Sequence, residues 1–176
     1  MRVALGQINP TVGDVAGNTR RILVCIDEAR RKQADLVVLP ELAVIGYPPK
    51  DLLLKPAVIE QCAAAVQHIA SQCHGVSVIV GYPCKSDKAA GRPLYNAAAV
   101  CRDGQIVHRR FKNLLPSYDV FDETRYFEPG PRVDVTELNG TKLGISVCED
   151  LWNDAELIDR QLYHDNPIGE LAEAGA

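Results

Sequence analysis

Three polar residues stand where apolar stretches of the chain end. Glu41 follows DLVVLP (35–40), Lys112 follows GQIVHRRF (104–111), and Cys148 follows KLGISV (142–147) and precedes Glu149 and Asp150. In α/β sheets the carboxyl ends of strands are where sites form, because rigid strands aim side chains there. As a set the three supply a base, a cation and a nucleophile. A thiol of ordinary pKa, about 8.5, is mostly protonated at neutral pH, and the thiolate is the reactive form. A neighbouring carboxylate can take its proton, and desolvation raises a carboxylate's pKa toward that task. A lysine ammonium lowers the thiol pKa and stabilises the oxyanion formed when sulfur attacks a carbonyl. Such a trio suits acyl transfer from an amide or nitrile carbon. Singly, each residue has a plainer reading: a turn cap for Glu41, a solvated cation after Arg109 and Arg110 for Lys112, core packing for Cys148.

The elements that must position these residues are legible from periodicity. RVALGQI (2–8) reads as a strand. Asn18 is placed to cap a helix over 19–33 whose apolar residues Ile22, Ile26 and Ala29 recur at helical spacing. DLVVLP is a near-continuous apolar strand of the kind buried on both faces. A second helix is expected over 56–73, with Pro56 in its first turn and a stripe of Val58, Cys62, Val66, Ile69 and Cys73. VSVIVG (76–81) is another buried strand. This β-α-β-α-β alternation marks an α/β fold. Two hairpins follow, over 94–112 and 132–148, turning at Asp103-Gly104 and Asn139-Gly140. The loop between them, 113–131, is long and rich in aromatic and charged residues, which suits a functional segment. GELAEAGA at the end reads as the last turns of a helix leading toward a further strand, so the chain is expected to be the first part of something longer.

Composition excludes several classes. A net charge of −4 and a pI near 5.6 offer no basic excess to neutralise phosphates, so no nucleic-acid partner is expected. No apolar run approaches a membrane span, and no secretory signal precedes the first strand; a cytoplasmic protein with no membrane partner is expected. The six cysteines form no C-x-x-C pair and are expected to be reduced, five of them as small core residues. No Cys/His spacing suits a tetrahedral metal site, so no metal is expected. His68, His74, His108 and His164 offer a cysteine–histidine dyad as a rival, but none follows a strand end as Cys148 does.

Three blocks, LPELAVIGYPPKDLLL, FKNLLPSYDVFDETRYF and GISVCEDLW, resemble the three catalytic blocks of the nitrilase, or carbon–nitrogen hydrolase, superfamily. More narrowly, G-Y-P-P-x-D-L, L-P-x-Y-x-V-F-D-E-x-R-Y-F and C-E-D-L-W are similar to the glutaminase domains of glutamine-dependent NAD synthetases. The resemblance covers essentially the whole chain. It implies an α/β, nitrilase-type four-layer α-β-β-α sandwich of two mixed sheets, incomplete at the C-terminus, with residues 1–176 forming the N-terminal part of a carbon–nitrogen hydrolase domain. It implies Glu41 as general base, Lys112 as stabiliser of oxyanion and thiolate, Cys148 as nucleophile and Glu123 as a second acid orienting the lysine. Tyr118, Tyr47 and Glu149 match residues of the glutamine pocket. Pro40 would then end its strand so that Glu41 faces a pocket that Tyr47 helps to wall.

The implied reaction is hydrolysis of L-glutamine without a cofactor. Its ammonia would pass to a synthetase domain that uses ATP and Mg²⁺ to amidate deamido-NAD, and the full-length protein would be a homo-oligomer. The chain departs from the pattern in two ways. It carries neither the family's further substrate-holding strands nor an S-G-G-x-D-S pyrophosphate loop, and 153–170 separates the cysteine block from AEAGA by more than the family pattern, as a remodelled loop would. An amidohydrolase without a synthetase partner and a non-catalytic fragment are the other readings.

Overall fold

A computed structural model describes residues 1–131, 133–153 and 159–176. The expected remodelled loop over 153–170 therefore lies partly outside the described residues. Strands β1 (Val3–Leu5), β2 (Leu36–Val38), β3 (Ser77–Lys85), β4 (Leu94–Arg102) and β5 (Gln105–Phe111) form one sheet in that order. β1, β2 and β3 run parallel, joined through helices α1 (Val15–Arg31) and α2 (Pro56–Ser71), while β3, β4 and β5 are antiparallel neighbours. The sheet is mixed, as expected. The second sheet is not: among the described residues it is the antiparallel hairpin β6 (Val135–Leu138) and β7 (Thr141–Gly144). Helix α3 (Pro167–Glu173) closes the far side, with Leu171 lying on Gly144. Layering is thus α-β-β-α.

Both hairpins turn where their dipeptides direct. Asp103 and Gly104 have φ of 49° and 83°, and Asn139 and Gly140 have 52° and 75°, the left-handed pair that a two-residue hairpin turn requires. Helix α1 starts earlier than its periodicity implied. Asp14, not Asn18, caps it, accepting from the Gly17 amide at 2.8 Å. Asn18 lies inside the helix, fully buried, and donates to the Thr11 and Val44 carbonyls. Both residue types cap helices well, so the choice fell to Asn18's tertiary partners. In α2 the buried stripe runs through Ile59 rather than Val58, which is half-buried. β1 is shorter than 2–8 because pairing with β2 covers only three residues. Of the five cysteines expected in the core, Cys62, Cys73 and Cys101 are buried and Cys25 and Cys84 half-buried; all six are free.

The pleat separates two cores. Val78, Val80, Ala97 and Ala99 face α1 and α2, whereas Ile79, Ala98 and Val100 face Leu138, Ile145 and Val147 of the second layer. Gly81 belongs to the second set, and there the backbone of 40–42 presses directly on the sheet. A Cβ on Gly81 would stand 2.4 Å from the Leu42 nitrogen and 2.7 Å from the Pro40 oxygen. The segment carrying Glu41 can follow β2 across the strand ends only because residue 81 has no side chain. Gly81→Ala is accordingly expected to cost about 1–3 kcal/mol by overpacking against backbone that has no room to retreat. Urea titration checks this; an unchanged midpoint would show that the 40–42 segment is not packed there.

Candidate active site

Lys112 follows β5 and is the centre of the arrangement. It is 1% exposed, and its Nζ lies 2.7 Å from Glu41 Oε1 and 2.9 Å from Glu123 Oε1. Burial works against the ammonium, but the two carboxylates outweigh it and hold the lysine pKa above its ordinary value. The plainer reading of Lys112 as a solvated cation is thereby excluded. Glu123 sits in a short 3₁₀ turn of the 113–131 loop. Burial raises its pKa; Lys112 opposes this and Glu41 adds to it. Tyr47 donates to Glu123 Oε1 at 2.9 Å, so its hydroxyl orients the acid while its ring tilts against Phe121.

One ammonium between two carboxylates leaves a net negative charge, and a neutral donor helps to disperse it. Asn96 of β4 places Nδ2 2.6 Å from Glu41 Oε1 and 3.4 Å from Glu123 Oε2. Strand pairing sets this up, since the Lys112 amide donates to the Asn96 carbonyl at 2.9 Å. Asn96 was missed from sequence. Its signal was a lone amide inside the apolar run LYNAAAV.

Cys148 lies beyond the ladder, four residues after β7 ends, at the start of a 3₁₀ turn over Cys148–Leu151. Its φ is +44°, a left-handed conformation that costs a non-glycine residue about 1–3 kcal/mol. The thiol is accessible and lines a cleft of about 570 Å³ between the two sheets, together with Glu41, Leu39, Gly81, Ala98 and Ile145. Burial against these walls, the Glu41 charge and a hydrogen bond with Glu41 push the thiol up to about 11, against the pull of Lys112. Lys112 lowers it, as expected, but burial and Glu41 together outweigh the lysine. The resting thiol is protonated at neutral pH, beside a carboxylate able to receive its proton as sulfur attacks an electrophile.

A buried ion pair fastens this turn to the lysine strand. Arg110 is 2% exposed; it donates from Nε to the Ile145 carbonyl at 2.9 Å and from Nη2 to Asn113 Oδ1. Its Nη2 lies 3.6 Å from Asp150 Oδ2. Asp150 also accepts from the Asn113 and Leu114 amides at 2.9 Å and from Val147 at 3.2 Å. Neither residue announced itself, one lying in a basic run and the other in an acidic one.

Glu149 is buried and accepts from the Tyr118 and Tyr163 hydroxyls, each at 3.0 Å. Burial and Glu149 raise both tyrosines. Tyr163 was not foreseen. The structure thus brings Glu41, Lys112, Glu123 and Tyr47 into one network, sets Cys148 beside Glu41, and joins Tyr118 to Glu149 at the adjoining turn.

Three outcomes are expected. Asp150→Ala strands Arg110 and three backbone amides and should cost about 3–5 kcal/mol in urea unfolding. Arg110→Leu/Asp150→Leu should recover only part, because the amides stay unsatisfied. Alkylation of Cys148 by iodoacetamide, followed by peptide mass, should keep rising with pH toward about 11; a plateau below pH 8 would show a preformed thiolate.

Comparison with known proteins follows the same lines. The family model described as "Carbon-nitrogen hydrolase" matches residues 2–163. The glutamine-dependent NAD(+) synthetase of Synechocystis is 38% identical over 98% of this chain and 32% of its own length. The enzyme of that name from Xanthomonas campestris is 44% identical over 86% of this chain and 27% of its own. The chain thus spans about a third or less of these relatives. The solved Acinetobacter baumannii glutamine-dependent NAD+ synthetase, in complex with ADP, superposes with a TM-score of 0.79 at 38% identity, covering 85% of this chain and 28% of that one. A Nesterenkonia amidase from the nitrilase superfamily shares the fold, with a TM-score of 0.81 at 23% identity over 100% of this chain and 62% of the amidase. With the family model matched over nearly its full length, and with nitrilase-superfamily enzymes sharing its layers, this chain belongs to the carbon–nitrogen hydrolase family.

Proposed function

We propose that residues 1–176 are the N-terminal part of a glutaminase domain that releases ammonia from L-glutamine. The observation carrying this reading is the Lys112 ammonium, buried between Glu41 and Glu123, with Glu41 lining the cleft that Cys148 also lines. In it, Cys148 Sγ attacks the side-chain carboxamide carbon while its proton passes to Glu41. Lys112 faces the charge developing on the carbonyl oxygen, in a site where low dielectric strengthens that interaction. Glu41 returns the proton to the departing nitrogen; the C–N bond breaks, ammonia leaves, and a γ-glutamyl thioester remains. Water then loses a proton to Glu41 and attacks the thioester. The C–S bond breaks, glutamate leaves, and sulfur recovers its proton. Glu123, held by Tyr47, keeps the lysine in place. Glu149, with Tyr118, supplies a negative charge suited to the substrate's α-ammonium.

In the longer protein that the relatives' lengths suggest, the ammonia would amidate deamido-NAD at a synthetase domain using ATP and Mg²⁺, within a homo-oligomer. This chain contains no S-G-G-x-D-S sequence, and among the described residues no group of three or more His, Cys, Asp or Glu could hold a metal ion. No step of the hydrolysis is assigned to ATP or to a metal. Among the described residues no helix is long and apolar enough to cross a membrane.

A glutamine-analogue diazoketone should label Cys148 selectively, with labelling lost in Glu41→Ala and Lys112→Ala. Cys148→Ala in the full-length protein should abolish glutamine-dependent NAD formation and leave the reaction with free ammonia intact. Glutamine-dependent turnover by Cys148→Ala would overturn the nucleophile assignment.

A further inference from the structure

We infer that Asn96 is a positioning residue for the base: its side-chain amide, together with Lys112, pins Glu41 by Oε1, so that Oε2 is the oxygen presented to Cys148. The inference rests on the reading of Cys148 as nucleophile and Glu41 as its base. Both donors land on the same atom, Asn96 Nδ2 at 2.6 Å and Lys112 Nζ at 2.7 Å. A carboxylate held on one side by two donors can neither rotate nor exchange its oxygens, and Glu41 lines the same cleft as Cys148.

The amide also reaches Glu123 Oε2 at 3.4 Å, while Lys112 binds Glu123 Oε1. The two carboxylates are therefore bridged twice, once by a cation and once by a neutral amide. A second cation there would compete with the substrate oxyanion's stabiliser for the carboxylates, and a carboxylate at 96 would repel both. Only an amide offers two donors of one nitrogen without charge.

A separate observation points the same way. Asn96 is 1% exposed, and its Oδ1 is a buried atom without a hydrogen-bond partner among the described residues. A buried unsatisfied acceptor is costly, and folded chains rarely keep one. Turning the amide over would leave two carboxylate oxygens facing the Asn96 oxygen instead of N–H groups. The fold retains the unpaired acceptor because the donor side is required, which marks a residue kept for its donors rather than for packing.

The test uses iodoacetamide, a small neutral electrophile that does not depend on glutamine recognition. Cys148 alkylation is followed by peptide mass in the unmodified chain, in Glu41→Gln, in Asn96→Leu, which nearly keeps the shape and removes both N–H donors without adding charge, and in Asn96→Ser, which keeps one O–H donor. At pH 7 Asn96→Leu should react roughly tenfold to a hundredfold more slowly, the scale of a lost charge-assisted hydrogen bond, and Asn96→Ser should fall between. Near the thiol's own pKa of about 11, where sulfur ionises without help, the variants should converge on the unmodified chain. Asn96→Leu reacting like the unmodified chain at pH 7 would make Asn96 a packing residue only. A deficit that persists unchanged near pH 11 would mean a displaced site; either result overturns the inference. Should Glu41→Gln itself react normally, the assignment of the base fails first, and the two failures are thereby told apart.

Discussion

The Lys112 ammonium, removed from water at 1% exposure, has to be matched by charge on the spot. An isolated buried cation is costly enough to deprotonate or to unfold its surroundings. Glu41 and Glu123 meet it at 2.7 and 2.9 Å, and much of the local architecture serves to bring them there. Glu41 arrives from the end of β2 over a sheet position with no side chain, Gly81. Glu123 arrives from the 113–131 loop, steadied by Tyr47 from the Gly-Tyr-Pro-Pro turn. Two anions around one cation overshoot neutrality, and hydrogen-bond donors from Asn96 and Tyr47 take up the excess.

This arrangement explains why the thiol is not a preformed thiolate. Burial of the thiol and the neighbouring Glu41 charge oppose a second negative charge, and together they outweigh the pull of Lys112. The sulfur is therefore held as a thiol at neutral pH. A thiol held protonated resists adventitious oxidation, which follows thiolate content. The strained backbone at Cys148, with φ of +44°, is held by Asp150 and Arg110. That pair links the cysteine turn to the two residues following Lys112, so Cys148 and Lys112 share one rigid support.

Strands, helices and both hairpins were legible because each leaves a local signature: a period of two or 3.6, a proline at a helix start, Asp-Gly or Asn-Gly at a turn. Glu41, Lys112 and Cys148 were legible as polar residues at the ends of apolar strands, and the three blocks around them carried the family. Boundaries were less so. Asn18 and Asp14 are both good caps, and the difference lay in a hydrogen bond to Val44, far along the chain.

What the sequence determined by itself is the α/β alternation, the order of the three blocks and the identity of the groups they bring. What only the tertiary structure decided is how those groups feel one another. That Lys112 is buried, that Asn96 joins it on Glu41, that Arg110 and Asp150 form a brace and that Tyr163 reaches Glu149 all depend on contacts between residues distant in the chain. Charge and hydrogen bonding act through space and through the local dielectric, and neither distance nor burial is written in the spacing of residues along one strand.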